Sequence, residues 1–352
     1  MPVKVFVIDD SAVVRQSMAH ILSNNADVEL IGSAPNPILA SEMLRRQKPD
    51  VLLLDIEMPG MDGLTFLKQI MASAPIPTVI CSTLSTEGSK IALEALSLGA
   101  VAVLAKPKLG LKQHLDETRR EMIQTLKSAA RAKPRMAVRS VSAPLQTGQT
   151  TTSARPSIHA LAVNKPVVIG SSTGGTQALE LILTCLPADA PGIAITQHMP
   201  EKFTAMYAKR LNDICAMQVR EARDGDRLER GLALIAPGGL HMQLKKNAGQ
   251  YFMHVVDGPP VNRHKPSVDV LFRSAAECAG ADVLGIILTG MGDDGARGMK
   301  ALHDRGARTL AQNEETCVVF GMPKEAIKLQ AVDEILPLEA MAKAILAFDA
   351  RA

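Results

Sequence analysis

Short apolar runs and longer amphipathic stretches alternate along most of this chain. In residues 1–125 the runs are Val3 to Ile8, Val28 to Ser33, Val51 to Leu54, Thr78 to Ser82 and Ala100 to Ala105. Runs of this length, rich in Val, Ile and Leu, suit strands buried on both faces. Helical patterns lie between them and after the last. Five strands interleaved with helices predict a doubly wound parallel sheet. A second such pattern begins at Pro166, with runs at Val167 to Gly170, Gly192 to Thr196, Leu232 to Ala236, Gln250 to Val256, Val283 to Leu288 and Arg308 to Ala311. The pair around His241 and Tyr251 looks like an antiparallel hairpin. The expected fold class is α/β: two doubly wound parallel-sheet domains, a flavodoxin-like one and then a Rossmann-like one.

Between the two patterns the periodicity stops. Residues 126–165 hold seven Lys or Arg and no Asp or Glu, and Thr147 to Ser153 is almost all Thr, Gly, Gln and Ser. Such a segment buries too little apolar surface to pack alone and reads as a flexible basic linker. The division is therefore 1–125, linker 126–165, and 166–352. The linker carries all of the positive excess behind the net charge of +3. A solvated tether explains it; a docking segment for an acidic partner is the sharper alternative.

Charge this small does not imply nucleic acid. With no Trp, two Tyr and seven Phe, stacking platforms for single strands are scarce. The opening Met1 to Asp10 is apolar only briefly and ends in two acids, unlike a secretory leader. No run approaches the ~18 apolar residues of a membrane span. Five scattered cysteines without a C-x-x-C pair read as free thiols. Together these point to the cytoplasm.

Candidate chemistry gathers at strand ends, where α/β sheets bind ligands. In the first domain Asp9 and Asp10 end the first strand, Asp55 follows the third, Ser82 the fourth and Lys106 the fifth. Carboxylates crowded at one edge repel unless a hard cation sits among them, and oxygen ligands suit Mg2+. Lys106 and Ser82 can bind an anion held on Asp55. With Ile8-Asp9-Asp10-Ser11, Leu54-Asp55-Ile56-Glu57-Met58-Pro59-Gly60-Met61-Asp62-Gly63-Leu64 and Ala105-Lys106-Pro107, this domain closely resembles a response-regulator receiver. The resemblance implies that Asp55 is the phosphoacceptor. It implies Mg2+ held by Asp9, Asp10, Asp55 and the Glu57 carbonyl, with Ser82 as the switch hydroxyl. Receivers often carry an aromatic residue three positions before the lysine; here it is Val103, which argues against a rotating aromatic switch.

In the second domain, Val167-Val168-Ile169-Gly170-Ser171-Ser172-Thr173-Gly174-Gly175 puts a serine between a strand and a helix, with Gly170-x-Ser172-x-Gly174 at nucleophile-elbow spacing. A serine needs a base beside it. His198, in Gln197-His198-Met199-Pro200, also follows an apolar run, as does Leu288-Thr289-Gly290-Met291-Gly292-Asp293-Asp294-Gly295. Ser172, His198 and an acid could meet on one edge. Spacing alone does not choose between Asp293 and Asp294, and His241, His254, His264 and His303 compete for the base. No metal-ligand spacing occurs among the histidines, so no cofactor is expected in this domain.

These motifs, with Ala236-Pro237-Gly238-Gly239-Leu240-His241-Met242 and Pro259-Pro260-Val261-Asn262-Arg263-His264-Lys265-Pro266-Ser267-Val268-Asp269, resemble the catalytic domain of the chemotaxis protein-glutamate methylesterases, the CheB family. With the receiver the match spans nearly everything but the linker. It implies Ser172 as nucleophile, His198 as base, Asp294 as the orienting acid and the Met291 N–H as oxyanion donor. It implies hydrolysis of glutamate γ-methyl esters on chemoreceptors, deamidation of certain glutamines, and activation through Asp55 by the chemotaxis histidine kinase. The family often has Asn where Asp293 stands. Other readings fit less well. The Gly170 to Thr176 loop lacks G-x-G-x-x-G and a Walker lysine. No helix-turn-helix is recognisable. An α/β-hydrolase would place its acid before its histidine.

Overall fold

The computed structural model describes residues 1–23, 25–58, 63–83, 85–106, 112–132 and 165–350. The stretch 133–164, Pro59 to Asp62 and Pro107 lie outside the described residues. The first domain runs β1 (Val3–Ile8), α1 (Ala12–Leu22), β2 (Val28–Ala34), α2 (Pro37–Leu44), β3 (Val51–Asp55), α3 (Gly63–Ser73), β4 (Thr78–Ser82), α4 (Thr86–Ser97), β5 (Ala102–Ala105) and α5 (Lys112–Ala129). Its parallel sheet has the order β2-β1-β3-β4-β5. β3 and β4 are buried along their whole length, so their apolar runs show no alternation. Ser11, Asn36 and Ser85 start α1, α2 and α4 by accepting a backbone N–H three residues on.

The second domain runs β6 (Val167–Ser171), α6 (Gly175–Thr184), β7 (Ile193–Gln197), α7 (Phe203–Ile214), β8 (Gln218–Glu221), β9 (Leu232–Ile235), β10 (His241–Asn247), β11 (Gln250–Val256), α8 (Val268–Ala279), β12 (Leu284–Ile287), α9 (Ala296–Asp304), β13 (Arg308–Gln312), α10 (Met322–Lys328), β14 (Glu334–Leu336) and α11 (Met341–Asp349). Seven parallel strands take the order β14-β13-β12-β6-β7-β9-β8, and β10 and β11 form the antiparallel hairpin apart from them. The chain leaves β6 toward β7 and later returns to its other side at β12. That reversal opens a crevice at the C-terminal end of β6. Both domains thus have the expected doubly wound architecture.

Three details differ from the sequence reading. β8 and β14 were not expected. They are the sheet's edges; QVRE in β8 is largely polar and EIL in β14 is only three residues long, and neither is the buried apolar run of a central strand. Residues 126–129, assigned by composition to the linker, are instead the last turn of α5, with Leu126 and Ala129 fully buried. The third is the turn after β6. Ser172 keeps a negative φ, and the bend is made by Gly174 at φ 78. The nucleophile-elbow spacing is present, but the left-handed residue is the glycine.

The domains touch along α4 and α5. α4 packs on α6 and α7. Gln177 Nε2 donates to the Leu96 carbonyl at 2.6 Å, at the end of α4. Ser128 Oγ, in the last turn of α5, donates to Thr173 Oγ1 at 3.1 Å. Val319 joins the apolar cluster around α5, with Met291 and Val318 packed against it. Among the described residues no helix is long and apolar enough to cross a membrane.

Gly174 carries two constraints: its left-handed φ, and a Cβ position 2.5 Å from Val318 Cβ. Gly249, at the hairpin tip, shares the φ (77) with nothing within 4 Å. Gly174→Ala should therefore lower the thermal unfolding midpoint by clearly more than Gly249→Ala, whose cost is the backbone term of ~1 kcal/mol. Equal shifts in calorimetry would show that the Val318 contact yields freely.

Candidate active site

Three neighbouring strands deliver the candidate residues. β6 pairs with β7 on one side and β12 on the other, with Ser171 opposite Gln197. Ser172 and His198 are therefore the next residues beyond two paired strands, and Asp294 comes from the loop after β12. Hydrogen bonds stitch the three ends together. Ser172 N donates to the Thr289 carbonyl at 3.0 Å, and Thr289 Oγ1 to the Thr173 carbonyl at 2.9 Å. The buried Gln197 amide donates to the carbonyls of both Ser172 and His198, each at 2.9 Å, and accepts from Ser171 Oγ at 2.6 Å. Gly290 permits the closest approach: a Cβ there would lie 2.7 Å from that of Ser172.

The adjacent acids separate by environment. Asp293 is exposed, 3.9 Å from the Arg263 guanidinium. Asp294 is 1% exposed, and its Oδ2 lies 2.8 Å from His198 Nε2. It also sits on the N-terminus of α8. Val268 N donates to Oδ2 at 2.7 Å, and Asp269 N to Oδ1 at 3.2 Å. Ser267 Oγ and Asn262 Nδ2 donate to Oδ1 at 2.7 and 2.8 Å. Burial alone would raise the pKa of this carboxyl. The hydrogen bond and charge of His198, then Asn262 and Ser267, outweigh it and hold the group well below the usual carboxylate range.

With Nε2 on Asp294, His198 Nδ1 is buried and without a partner among the described residues. It is the nitrogen free to take a proton. Ser172, half-buried, donates no hydrogen bond from Oγ among the described residues. The other face of His198 is covered by His264, the ring centroids 3.7 Å apart and the planes 3° from parallel. Burial, then the charge of His198, pushes His264 down to about 3. Donor atoms of His198, His264 and Asp294 lie within 4.8 Å of one another. Ring lone pairs lie in the ring planes, however, and two parallel stacked planes do not converge on one ion. The other three candidate histidines are engaged elsewhere. His241 Nε2 donates to the Pro259 carbonyl while Nδ1 accepts from Ser267 N, His254 meets Asp224, and His303 meets Asp304 and Asp333.

The Met291 N–H, in the loop between β12 and Asp294, has no acceptor among the described residues. Met291 borders a cavity of about 570 Å³ lined further by Asp293, Val318, Phe320, Lys324 and, from the end of α5, Arg131. The first domain thus reaches the Met291 loop through Arg131 and the residue after Ser172 through the Ser128–Thr173 hydrogen bond.

The acidic cluster of the first domain is assembled as well. Carboxylate oxygens of Asp9, Asp10 and Asp55 lie within 4.8 Å of one another. Asp9 and Asp55 are buried and Asp10 exposed. Lys106 Nζ is 2.7 Å from Asp55 Oδ2 and 3.3 Å from Asp9 Oδ2. Burial and then the charge of Asp55 raise the Asp9 pKa. Burial would lower that of Lys106, but its hydrogen bond to Asp55 and the two carboxylate charges raise it. Glu57 N donates to Asp55 Oδ1 at 3.0 Å, and the Glu57 carboxylate accepts from Thr83 Oγ1. Ser82 is buried at the end of β4, its Oγ on the Thr83 carbonyl. Three close carboxylates with only oxygen donors suit a hard divalent cation.

Sequence reading missed Gln197, Asn262 and Ser267 as holders of the site. Ser267 before an apolar helical pattern, with Asp269 in its first turn, carries the grammar of a helix start. Nothing local marks Gln197 or the His264 stack, since both depend on strands and loops far apart in the chain.

A family model described as CheB methylesterase matches residues 167–345, and one described as response regulator receiver domain matches residues 5–116. A protein named protein-glutamate methylesterase/protein-glutamine glutaminase 2 from Dechloromonas aromatica (strain RCB) is 55% identical over 357 residues, 98% of each chain. One named protein-glutamate methylesterase/protein-glutamine glutaminase 1 from Xanthomonas oryzae pv. oryzae (strain MAFF 311018) is 55% identical over 97% of this chain and 99% of its own. The crystal structure of the Thermotoga maritima CheB methylesterase catalytic domain superposes with a TM-score of 0.51 at 38% identity, over 52% of this chain and 98% of that one.

A carboxyl held below its ordinary pKa stabilises the fold above about pH 4, and that contribution is lost as pH falls through the depressed value. Asp294→Asn removes the titrating group. Urea unfolding between pH 7 and pH 3 should show a smaller decline in midpoint for Asp294→Asn than for wild type. Parallel declines would mean that Asp294 is not held as its donors require.

Proposed function

The chain belongs to the CheB methylesterase family, and from that premise we propose that Ser172, His198 and Asp294 carry its hydrolysis of glutamate γ-methyl esters. The protein is a protein-glutamate methylesterase and protein-glutamine glutaminase with a receiver domain, an enzyme of chemotaxis adaptation. The observation that carries the residue assignment is His198 itself. Its Nε2 is held on Asp294, its Nδ1 has no partner among the described residues, and it follows β7 as Ser172 follows the paired strand β6.

The proposed chemistry follows. Ser172 Oγ attacks the ester carbonyl carbon while His198 Nδ1 accepts the hydroxyl proton. Asp294 offsets the positive charge that appears on the imidazole. The tetrahedral oxyanion accepts from the Met291 N–H, a donor with no acceptor among the described residues. The C–O bond to the methoxy group breaks, and His198 returns the proton so that methanol leaves. Water, deprotonated by His198, then cleaves the acyl-enzyme to free the glutamate carboxylate and Ser172. A glutamine side chain passes through the same intermediate with ammonia as leaving group. The nitrogen roles are reversed from the chymotrypsin arrangement, in which Nδ1 faces the acid. The buried, donor-rich surroundings of Asp294 support this assignment over Asp293.

The receiver supplies control. Asp55 is the proposed phosphoacceptor, and Lys106 and Ser82 would contact the phosphoryl oxygens. Asp9, Asp10, Asp55 and the Glu57 carbonyl would hold Mg2+, which when bound offsets the charge gathered on the phosphoryl group. A chemotaxis histidine kinase is the proposed phosphodonor, and the cytoplasmic helices of chemoreceptors are the proposed substrate. We read the α4 and α5 contacts as the restraint: they cover the Ser172 edge until phosphorylation weakens them. Val103, half-buried at the position often aromatic in receivers, leaves the signal to pass by a route other than a turning ring.

Methanol release from methylated receptor membranes tests both halves. Ser172→Ala should reduce it by about 10⁴ or more; surviving release would remove Ser172 from the mechanism. A phosphodonor with Mg2+ should raise the wild-type rate but leave Asp55→Asn unmoved. Replacing Gln177 and Ser128 together by Ala should raise the unphosphorylated rate several-fold, since each interface hydrogen bond contributes about 1 kcal/mol. An unchanged resting rate would show that these contacts do not restrain the enzyme.

A further inference from the structure

Beyond the three residues so far assigned, we infer that His264 is a positioning residue for the esterase: its ring face holds His198 in the one plane and tautomer that leaves Nδ1 free for Ser172. The inference rests on the assignment of His198 as the base. A single hydrogen bond at Nε2 pins one atom of an imidazole but not its plane. Rotation about the Cβ–Cγ bond would swing Nδ1 away or exchange the two nitrogens. The stacked His264 ring, 3.7 Å away and 3° from parallel, closes off that rotation.

The backbone that presents His264 is built for the purpose. Val261 and His264 exchange both hydrogen bonds across a tight turn, N to O at 3.0 and 2.9 Å. The two central residues, Asn262 at φ 49 and Arg263 at φ 71, are both left-handed without being glycine. That geometry is costly for Arg in particular, and such strain persists where the surroundings demand it. This turn also places Asn262 Nδ2 on both Asp294 and Asp269, each at 2.8 Å. One turn therefore grips the acid through Asn262 and the base through His264.

His264 contributes its face rather than its proton chemistry. Its Nδ1 is buried without a partner among the described residues. With its pKa pushed down to about 3, it stays uncharged while His198 becomes cationic. A flat apolar ring should serve nearly as well, and this distinguishes positioning from acid–base or ligand roles.

The test uses the full chain with phosphodonor and Mg2+, and compares His264→Ala, His264→Leu and His264→Phe. Ala and Leu should lower kcat for methanol release on the order of 10–100-fold with little change in KM, the cost of a misplaced base. Phe should restore most of it. ¹⁵N NMR of the His198 ring, which needs no substrate, should show the Nε2–H tautomer alone in wild type and His264→Phe, and a mixture in Ala and Leu. Leu fills the space without a flat face, so it stands in if the Ala variant does not fold. Wild-type kcat with a single tautomer in Ala and Leu would overturn the inference, as would Phe being as damaged as Leu. Release that survives Ser172→Ala would sink the esterase assignment instead, and the ring spectra would still decide whether His264 holds His198.

Discussion

The active edge depends on one buried carboxylate. Asp294 is nearly out of water, where an ionised group is costly unless fully supplied with donors. Its two oxygens receive two backbone N–H groups from the start of α8, the Ser267 hydroxyl, the Asn262 amide and the His198 ring. The helix dipole adds to these. The arrangement works in both directions. The donors keep the acid charged, and the acid caps α8 where Ser267 makes no side-chain cap of its own. Losing any one donor would leave a buried charge short of partners, so helix, turn and base hold their places together.

Much of the architecture was legible in the sequence, for a physical reason. Central strands of parallel sheets must be apolar on both faces, so β3, β4, β6, β7 and β12 announce themselves. Edge strands carry no such demand, and β8 and β14 passed as loops. The last turn of α5 is masked by its own composition: Lys127 and Arg131 read as linker, while Leu126, Ala129 and Ala132 pack inward. Strand ends located Ser172, His198 and the acid loop, because parallel strands put those ends on one edge. Choosing between neighbouring acids was beyond the sequence, since Asp293 and Asp294 differ only in what surrounds them. The ring over His198 was hidden likewise, because only the folded turn brings residue 264 to 198.

The contact between the domains is of a kind suited to reversal. It combines a few hydrogen bonds, such as Gln177 to α4 and Ser128 to Thr173, with apolar packing around Val318 and Val319 and along α4, whose buried residues share one cluster with those of α6 and α7. A phosphoryl group at Asp55 can shift such an equilibrium only by the difference in free energy it makes between covered and open states, commonly 1–3 kcal/mol in coupled proteins. α4 packs on β5, which ends just before Lys106, and on α6 and α7, so a change at the acidic pocket has a short route.

The Gln197 amide has a consequence for how this enzyme can be switched. One side chain grips the carbonyls of nucleophile and base together, within a sheet whose register leaves no slack between β6 and β7. Pulling Ser172 out of line would drag His198 with it. Dismantling the machinery is thus a poor way to turn it off. A lock over the keyhole suffices: the works inside stay assembled, and the signal decides only whether anything can be put in.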